Sequence, residues 1–532
     1  GEALAAIEAS NYDLASDIAR AELDRGAVHP LLLNLRAYWH EKQGRVGAAL
    51  ADLEHAHALA PRDVPVLNAL GLCLEKIGRT REAFDAFDAA AKHAPDLAAV
   101  HINRGRLAEA LGQSDTARAS YERALQLGHN AHANLAALAA RRADWPAARR
   151  HGERALAIDP GLTPAEHALA SAETADGDYA TAEGRLSRLL DNSSLGPQDR
   201  AQTLCLLGDA LDGAGRTDAA FAAYQAGNSQ LRQINAPRFA NPAVENMRQY
   251  VERLSRYFEQ FPRERWADAD ADAAGNEDGP ANHVFLLGFA RSGTTLIEEA
   301  LASSPDVVTT QEKDGLADSV STLLANEAAL DRLAALRGGG LVRYRRSYWR
   351  RLAEFGIAPR GKCLVDKQPW NTIGLPLVAK LFPAAKIVFC LRDPRDVVLS
   401  CFRRRFLMNA TNYQLLSLED TARFYDSVMR LADIYRAKLP LDLCEARHEI
   451  LIANFDEESR KICEFIGMPW LDRMRDFAER APKRAIVTPS GGQIARGLNS
   501  EGVGYWRRYR TQIEPILPIL QPWVERFGYA AE

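Results

Sequence analysis

The stretch His283-Val-Phe-Leu-Leu-Gly-Phe-Ala-Arg-Ser-Gly-Thr-Thr295 decides the fold of the second half of the chain. It opens with a short apolar run that ends in Gly288, which is typical of a buried parallel strand. The helical stretch LIEEALASSP (296–305) follows the turn. A strand, a Gly/Ser/Thr turn and a helix N-terminus together present free backbone N–H groups to an anion. The residues that we expect to bind that anion are Arg291, Ser292, Gly293, Thr294 and Thr295.

The turn differs from the phosphate loop of nucleoside triphosphatases, which has the pattern GxxxxGK[ST]. The spacing from Gly288 to Gly293 fits that pattern, but Thr294 stands where the Lys is required. Triphosphate hydrolysis is therefore poorly supported, and a kinase is only the third choice among the possible functions.

A second motif of the same kind follows later in the chain. Lys386-Ile-Val-Phe-Cys-Leu-Arg392 indicates another buried strand, and VVLSCFRRRF (397–406) indicates the helix after it. Ser400 and Arg404 are four residues apart, so we expect them on one face of that helix, close to Arg392. Two guanidinium groups and a hydroxyl suit a phosphate dianion. The alternative is that the run of arginines forms a solvated basic face.

These two motifs, in this order, resemble the nucleotide-binding segments of sulfotransferases, which use 3′-phosphoadenosine-5′-phosphosulfate (PAPS). The first resembles the loop for the 5′-phosphosulfate, and the second resembles the segment for the 3′-phosphate, with the same spacing from Arg392 to Ser400. The resemblance covers residues 281–532. It implies PAPS as sulfonate donor, PAP as product, no metal, and a P-loop-like α/β domain with a central parallel sheet.

Further residues resemble the tyrosylprotein sulfotransferases. Glu312 lies where that family has its catalytic base, and Lys367 lies where it has a Lys at the leaving group. Ser490 matches the Ser near the transferred sulfonate. Cytosolic sulfotransferases use a His base, but no His occurs between His283 and His448, which also favours a carboxylate. For Glu312 the alternative is a solvated loop acid or a helix cap, and for Lys367 it is a surface lysine.

The resemblance departs from the family pattern at two places. Tyr505 replaces the Lys or Arg that the family has fifteen residues after the Ser, and Arg496 and Arg507 are the two possible sources of that charge. Phe455 lies where the family often has a Tyr, so we expect its ring to contact the nucleotide without a hydroxyl. Both departures concern the detail of nucleotide binding.

The first half of the chain repeats with a period of 34 residues. From Gly71, the residues at +12, +16, +19 and +24 are Ala83, Phe87, Ala90 and Pro95. Small residues at the anchor and at +12 let two helices approach closely, the bulky residue at +16 is expected to fill the gap against the next pair, and Pro ends the second helix. The other copies start at Ala37, Gly105, Ala136, Ala170 and Gly208.

This pattern resembles tetratricopeptide repeats, with six repeats over about residues 30–228 and a partial one before them. The resemblance implies an all-α solenoid with a concave face that binds peptides or proteins. The alternative is an Ala-rich helical bundle without repeat symmetry.

We predict three segments in the chain. Residues 1–235 form the repeat solenoid, residues 236–280 form a connecting helix and an acidic linker, and residues 281–532 form the sulfotransferase domain. The connecting helix is expected over residues 241–262, and the acidic run ADADADAAGNEDGPAN (267–282) is expected to be a solvated linker rather than a metal site.

Composition excludes several classes of protein. The chain has 532 residues, of which 47% are hydrophobic and 26% charged, as is ordinary for a soluble globular protein. A net charge of -4 gives no basic field for nucleic acid. Apolar runs stay below the ~18 residues of a membrane span. Seven Cys without a CxxC motif indicate reduced thiols and a cytoplasmic protein. Residue 1 is Gly, so we expect the native start to be missing, and a lost signal peptide stays open.

The sequence as a whole predicts a PAPS-dependent sulfotransferase that acts on a hydroxyl. Its acceptor is either a protein or peptide tyrosine docked by the repeats, or a carbohydrate or small molecule, with the repeats serving assembly. The alternative from another class is a repeat scaffold with a catalytically dead C-terminal domain, against which the intact motifs argue. The oligomeric state stays open.

Overall fold

A computed structural model describes residues 2–267, 279–477 and 497–530 of the chain. It divides into two compact units, residues 1–172 and 173–532. Most of the predicted acidic linker falls outside the described residues. Within the described ranges, no helix combines the length and the apolar character that a membrane crossing requires.

Pairs of consecutive helices make up the first unit. They are α1 (Glu2–Glu8), α2 (Tyr12–Asp24), α3 (Pro30–Lys42), α4 (Val46–Leu59), α5 (Val64–Lys76), α6 (Thr80–His93), α7 (Ala98–Ala110), α8 (Ser114–Gln126), α9 (His132–Arg141), α10 (Trp145–Ile158) and α11 (Thr163–Ala175), whose last turn belongs to the second unit. The helical repeat predicted from the 34-residue period is confirmed.

Within each pair the small residue of one helix touches the bulky residue of the next. A Cβ atom added to Gly71 would lie 2.7 Å from the ring of Phe87, and one added to Gly105 would lie 2.6 Å from the ring of Tyr121. Both rings are almost completely buried. The small anchor and the bulky residue at +16 therefore form one packing unit, because only a glycine leaves room for the ring.

The turn inside several pairs uses a glycine in the left-handed region. Gly44, Gly78 and Gly112 have φ values of 70°, 79° and 71°, and each follows the end of the first helix of its pair. Glycine adopts this conformation without the steric cost that a Cβ atom adds. These glycines lie seven residues after the repeat anchors, so the turn belongs to the same repeat.

The second unit begins with further helices. They are α12 (Tyr179–Asp191), α13 (Pro197–Gly213), α14 (Thr217–Phe239), α15 (Met247–Gln260) and α16 (Glu264–Ala267). Helix α15 is shorter than the helix predicted over residues 241–262, because Asn246 caps its N-terminus in a capping box with Gln249. Its predicted apolar face is buried, with Val251, Leu254 and Phe258 inaccessible to solvent.

A five-stranded parallel sheet forms the centre of the second unit, and the predicted strands are confirmed. The strands are β1 (Asn282–Gly288), β2 (Val307–Thr309), β3 (Cys363–Lys367), β4 (Lys386–Leu391) and β5 (Asp442–Arg447). Their order is β2-β3-β1-β4-β5, and every neighbouring pair is parallel.

Helices follow and separate these strands. They are α17 (Thr294–Leu301), α18 (Ala317–Leu323), α19 (Glu327–Ala335), α20 (Gly339–Glu354), α21 (Leu375–Leu381), α22 (Pro394–Arg403), α23 (Ala410–Tyr413), α24 (Leu418–Lys438), α25 (His448–Ala453), α26 (Phe455–Phe465), α27 (Arg510–Ile513) and α28 (Leu517–Arg526).

Both faces of the sheet are covered by apolar side chains. Along β1, Phe285 and Leu287 join one apolar cluster, while Val284 and Leu286 join another. Successive side chains of a strand point to opposite faces, so the two clusters lie on the two sides of the sheet. A strand buried on both faces has to be apolar at every position, which explains the continuous apolar runs in the sequence.

Candidate functional site

The candidate site residues meet where the strands end. Because the five strands are parallel, their carboxyl ends lie along one edge of the sheet, here called the carboxyl edge. Each strand is followed there by a candidate group. In chain order these are the loop 288–295 after β1, Glu312 after β2, Lys367 at the end of β3, Arg392 after β4 and His448 after β5.

The loop after β1 depends on two glycines. Gly288 has φ 152°, and a Cβ atom there would lie 2.5 Å from the carbonyl oxygen of Cys390 on β4. Gly293 has φ 101°, and a Cβ atom there would lie 2.5 Å from Nδ1 of His448. Between them Arg291 adopts φ 70°, a left-handed conformation that is costly for a residue with a side chain. The loop is thus held in a strained shape against its neighbours.

Three arginines gather at this loop and form the arginine cluster of Arg291, Arg392 and Arg404. Nε of Arg291 donates to Oγ of Ser400 at 3.0 Å, and Nη1 of Arg392 donates to the carbonyl oxygen of Arg291 at 3.2 Å. Burial, then the charges of Arg404 and Arg392, lower the pKa of Arg291 to about 9. A buried concentration of positive charge of this kind favours an anionic ligand.

Arg404 reaches the cluster by a different route from the one expected. Helix α22 ends at Arg403, and Arg404 has extended backbone with ψ 142°. It therefore does not share a helix face with Ser400. Its Nη1 lies 3.6 Å from Oδ1 of Asp209 on α13, while its charge still acts on Arg291.

Lys367 lies between two carboxylates. Its Nζ is 2.5 Å from Oε1 of Glu312 and 3.2 Å from Oε2 of Glu298. The Lys367 side chain is 0% exposed, whereas the Glu312 side chain is 35% exposed. Burial lowers the pKa of Lys367, but the charges of Glu298 and Glu312 outweigh burial and raise it above its ordinary value. Lys367 is therefore a buried cation and not a surface residue.

The backbone that carries Glu312 is also strained. Gln311 and Glu312 have φ values of 51° and 66°, both in the left-handed region. The N–H of Glu312 donates to the carbonyl oxygen of Lys367 at 2.9 Å, and Nε2 of Gln368 donates to the carbonyl oxygen of Glu312 at 2.9 Å. These bonds fix the position of Glu312 relative to Lys367.

His448 lies against the loop, although nothing in the sequence marked it as part of the site. Its Nδ1 is buried and has no hydrogen-bond partner among the described residues. Burial, then the charges of Arg392 and Arg291, lower the pKa of His448 to about 3. An imidazole with so low a pKa is uncharged and weakly basic at neutral pH, so it competes poorly with a carboxylate as a general base.

Other predicted residues are placed elsewhere or fall outside the described ranges. Phe455 begins α26, is 7% exposed, and packs in an apolar cluster with Phe477 at a ring distance of 5.8 Å. Its contact with a nucleotide stays a prediction. Ser490 and Arg496 lie outside the described residues, so the structure does not test them.

Tyr505, which replaces the expected basic residue, forms a hydrogen bond with Asp212 on α13. Its hydroxyl donates to Oδ2 of Asp212 at 2.5 Å, and the hydroxyl of Tyr509 donates to Oδ1 of Asp212 at 2.7 Å. Arg403 pairs with the same carboxylate and lies 4.6 Å from the centre of the Tyr505 ring. Asp212, at the end of α13, thus joins α22 to the segment after residue 504.

Three residues of this arrangement escaped the sequence analysis: Glu298, His448 and Asp212. One feature of the sequence could have identified Glu298: it is a carboxylate in a helical stretch whose other residues are mostly apolar. His448 and Asp212 left no local signal. Among the described residues, no group of three or more His, Cys, Asp or Glu side chains is placed to hold a metal ion.

Comparison with known families and proteins shows what the two parts of the chain resemble. Residues 283–472 match the sulfotransferase family, and residues 98–127 match the tetratricopeptide repeat. An uncharacterized protein of Aquifex aeolicus is 24% identical over 245 residues, which are 45% of this chain and 32% of that protein. The protein-tyrosine sulfotransferase of Drosophila melanogaster is 26% identical over 274 residues, which are 44% of this chain and 51% of that protein.

The chain therefore spans about a third of the Aquifex protein and about half of the Drosophila protein. Among solved structures, the sulfotransferase domain of the Synechococcus PCC 7002 olefin synthase is 18% identical. That comparison covers 50% of this chain and 99% of that domain, with a TM-score of 0.34.

Proposed function

For a chain that joins tetratricopeptide repeats to a sulfotransferase-family domain, we propose the function of a PAPS-dependent sulfotransferase that moves a sulfonate to an acceptor hydroxyl. The observation that carries this proposal is the contact between the two anion-binding segments predicted from the sequence. Nε of Arg291, from the first segment, donates to Oγ of Ser400, from the second, at 3.0 Å. One ligand with two anionic ends is able to bridge segments that touch.

The residues at the carboxyl edge fit such a nucleotide. The arginine cluster brings together positive charges whose mutual repulsion lowers the pKa of Arg291, and an anionic ligand would reduce that repulsion. Nε of Arg392 and Nδ1 of His448 are buried and have no hydrogen-bond partner among the described residues. Both atoms belong to residues that contact the loop 288–295, so they are placed to bind a polar ligand there. When bound, PAPS supplies the activated sulfonate.

Glu312 is proposed to take the proton of the acceptor hydroxyl. Its partial exposure leaves the carboxylate accessible to an acceptor, while its bond to Lys367 fixes its direction. A positioned general base contributes about 10²–10⁴ in rate.

Lys367 and the N–H groups of residues 293–295 are proposed to stabilise negative charge that develops at this edge. Preorganised donors of this kind contribute roughly 3–4 kcal/mol each. Ser490 is proposed to bind sulfonate oxygens, and that assignment rests on the resemblance alone.

The acceptor is proposed to be a protein or peptide tyrosine that the repeats help to dock. The name of the Drosophila relative and the tetratricopeptide match support this choice. A carbohydrate or small hydroxyl compound is the alternative.

The seven cysteines are free thiols, which supports action in the reducing cytoplasm.

Two measurements test the proposed function. Titration with PAP in a calorimeter should show saturable binding, and radiolabelled PAPS should label tyrosine peptides in preference to sugars and small alcohols. Absence of PAP binding would contradict the nucleotide site. Binding of PAP without transfer to any acceptor would instead support a repeat scaffold with a catalytically dead C-terminal domain. If only sugars are labelled, the acceptor is a carbohydrate and not tyrosine.

A further inference from the structure

Glu298 is a buried carboxylate beside the catalytic pair that no predicted role uses. It lies on α17, the helix that begins at the anion-binding loop, and it is 1% exposed. A carboxylate buried to this degree is costly unless charged or polar groups compensate it. Its position therefore calls for partners of specific chemistry.

The two oxygens of Glu298 bind two different parts of the site. Oε2 lies 3.2 Å from Nζ of Lys367, and Oε1 accepts the backbone N–H of Gln311 at 3.2 Å. Gln311 precedes Glu312 and shares its left-handed backbone. One side chain thus connects the end of β3 to the strained segment that carries the predicted base.

The charges show why a second carboxylate is needed. Lys367 is fully buried, and a buried ammonium group that loses its counter-ion is strongly destabilising. If Glu312 were its sole partner, proton uptake by Glu312 would leave that charge uncompensated. With Glu298 present, the ion pair of Lys367 and Glu298 stays neutral while Glu312 changes its charge.

We propose that Glu298 is a positioning residue for sulfonate transfer, which holds Lys367 in place as its permanent counter-ion and so frees Glu312 to act as the base. This inference rests on the proposed function. It assigns separate tasks to two carboxylates that touch the same ammonium group.

Glu298→Gln is the first test, because it removes the charge but keeps an oxygen for the N–H of Gln311. We expect kcat to fall about 10–100-fold, as is typical when the partner of a catalytic group is lost. The affinity for PAP should stay unchanged or increase, because a negative charge near an anionic ligand has been removed. A merely structural role would weaken PAP binding together with kcat.

Glu299→Gln is the matched control. Glu299 is the next residue of the same helix and is 3% exposed, but its side chain leaves the helix about 100° further round. We expect its kcat to stay within about twofold of the wild-type value. An equal loss in both variants would overturn the assignment to Glu298.

A double-mutant cycle tests whether Glu298 acts through Lys367. Lys367→Met removes the cation, and in that background Glu298→Gln should change kcat less than about twofold. This double variant removes both buried charges, so it stays informative if Glu298→Gln alone does not fold. If Glu298→Gln lowers kcat by the same factor with and without Lys367, the two residues act independently and the proposal is wrong.

The outcomes separate this inference from the proposed function. If the wild type binds PAP and transfers sulfonate, but Glu298→Gln retains wild-type kcat, the inference alone is wrong. If the wild type neither binds PAP nor transfers sulfonate, the proposed function is wrong and the inference is wrong with it.

Discussion

The pair of helices α5 and α6 and the carboxyl edge of the sheet are equally well buried but differ in what they bury. Ala83 and Phe87 in the helical pair are 0% exposed. At the carboxyl edge Glu298 and Lys367 are 1% and 0% exposed, and Arg291 is 8% exposed. The first region gains free energy from apolar contact. The second needs partners for every buried charge, so its stability and its chemistry depend on the same few bonds.

This difference predicts how each region responds to damage. Contacts in a repeat array are local, so a lost contact weakens one repeat and its neighbours. The groups at the carboxyl edge come from five strands and share partners, so one substitution there affects several groups together. Four predictions, ordered by the expected size of their effects, test this comparison.

Glu312→Gln should reduce kcat by about 10²–10⁴, because an amide does not take up the proton of the acceptor. PAP affinity should stay unchanged or increase slightly, since Glu312 bonds to Lys367 and its negative charge acts on Arg291 only at a distance. Initial rates with radiolabelled PAPS and calorimetry with PAP measure the two quantities. Wild-type turnover in this variant would remove Glu312 from the role of base.

Arg392→Ala should weaken PAP binding about 10–100-fold, since hydrogen bonds to charged groups contribute about 1.5–3 kcal/mol. Calorimetry gives the dissociation constant. Arg350→Ala is a suitable control, because Arg350 is 65% exposed on α20. Equal affinity in the Arg392 variant and the wild type would show that the second motif is misassigned.

Gly71→Ala should lower the free energy of unfolding by about 1–3 kcal/mol, because the new methyl group would overlap the Phe87 ring. PAP affinity should not change. Gly184→Ala on α12 is the control, since a Cβ atom there meets nothing within 4 Å. It should stabilise its helix by about 0.5–1 kcal/mol. Urea unfolding measures both, and a destabilised Gly184 variant would contradict the packing argument.

Asp366 should produce the smallest effect for a single step of the measurement, a change in stability of at most about 1.4 kcal/mol for each pH unit. Burial raises its pKa from 3.8 to about 7, although the hydroxyl of Tyr348 donates to Oδ2 at 2.7 Å and opposes that shift. Asp314 and Glu298 add to the increase. The folded state therefore holds a proton that the unfolded state releases, so this group's contribution to stability falls as pH rises from about 4 to 7.

To isolate this contribution, the midpoint of urea unfolding is measured as a function of pH for Asp366→Asn and for the wild type. The Asn variant should lose less stability than the wild type over that range, by at most about 1.4 kcal/mol per pH unit. Parallel profiles would show that Asp366 does not titrate in this window.

Local patterns predicted much of this fold correctly. The repeat register identified Gly71 and Phe87 as the small and the bulky packing positions, and two apolar runs identified β1 and β4. That Phe87 packs against Gly71 of its own pair came from the structure. Such predictions succeed because helical and strand periodicities depend on neighbouring residues. The end of α22 was predicted wrongly, because local periodicity does not include contacts with residues that are distant in the sequence. The helix ends at Arg403, where Arg403 and Arg404 pair with Asp212 and Asp209 on α13, residues far away in the sequence.

The sequence by itself determined the repeats, the parallel strands and the residue types at the two anion-binding segments. Only the tertiary structure decided that Glu298 faces Lys367, that His448 lies against Gly293 and that Asp212 holds Tyr505. The physical reason is that the energy of a buried charge depends on which distant groups surround it. The spacing of residues along the chain does not predict those neighbours, because they come together only when the sheet forms.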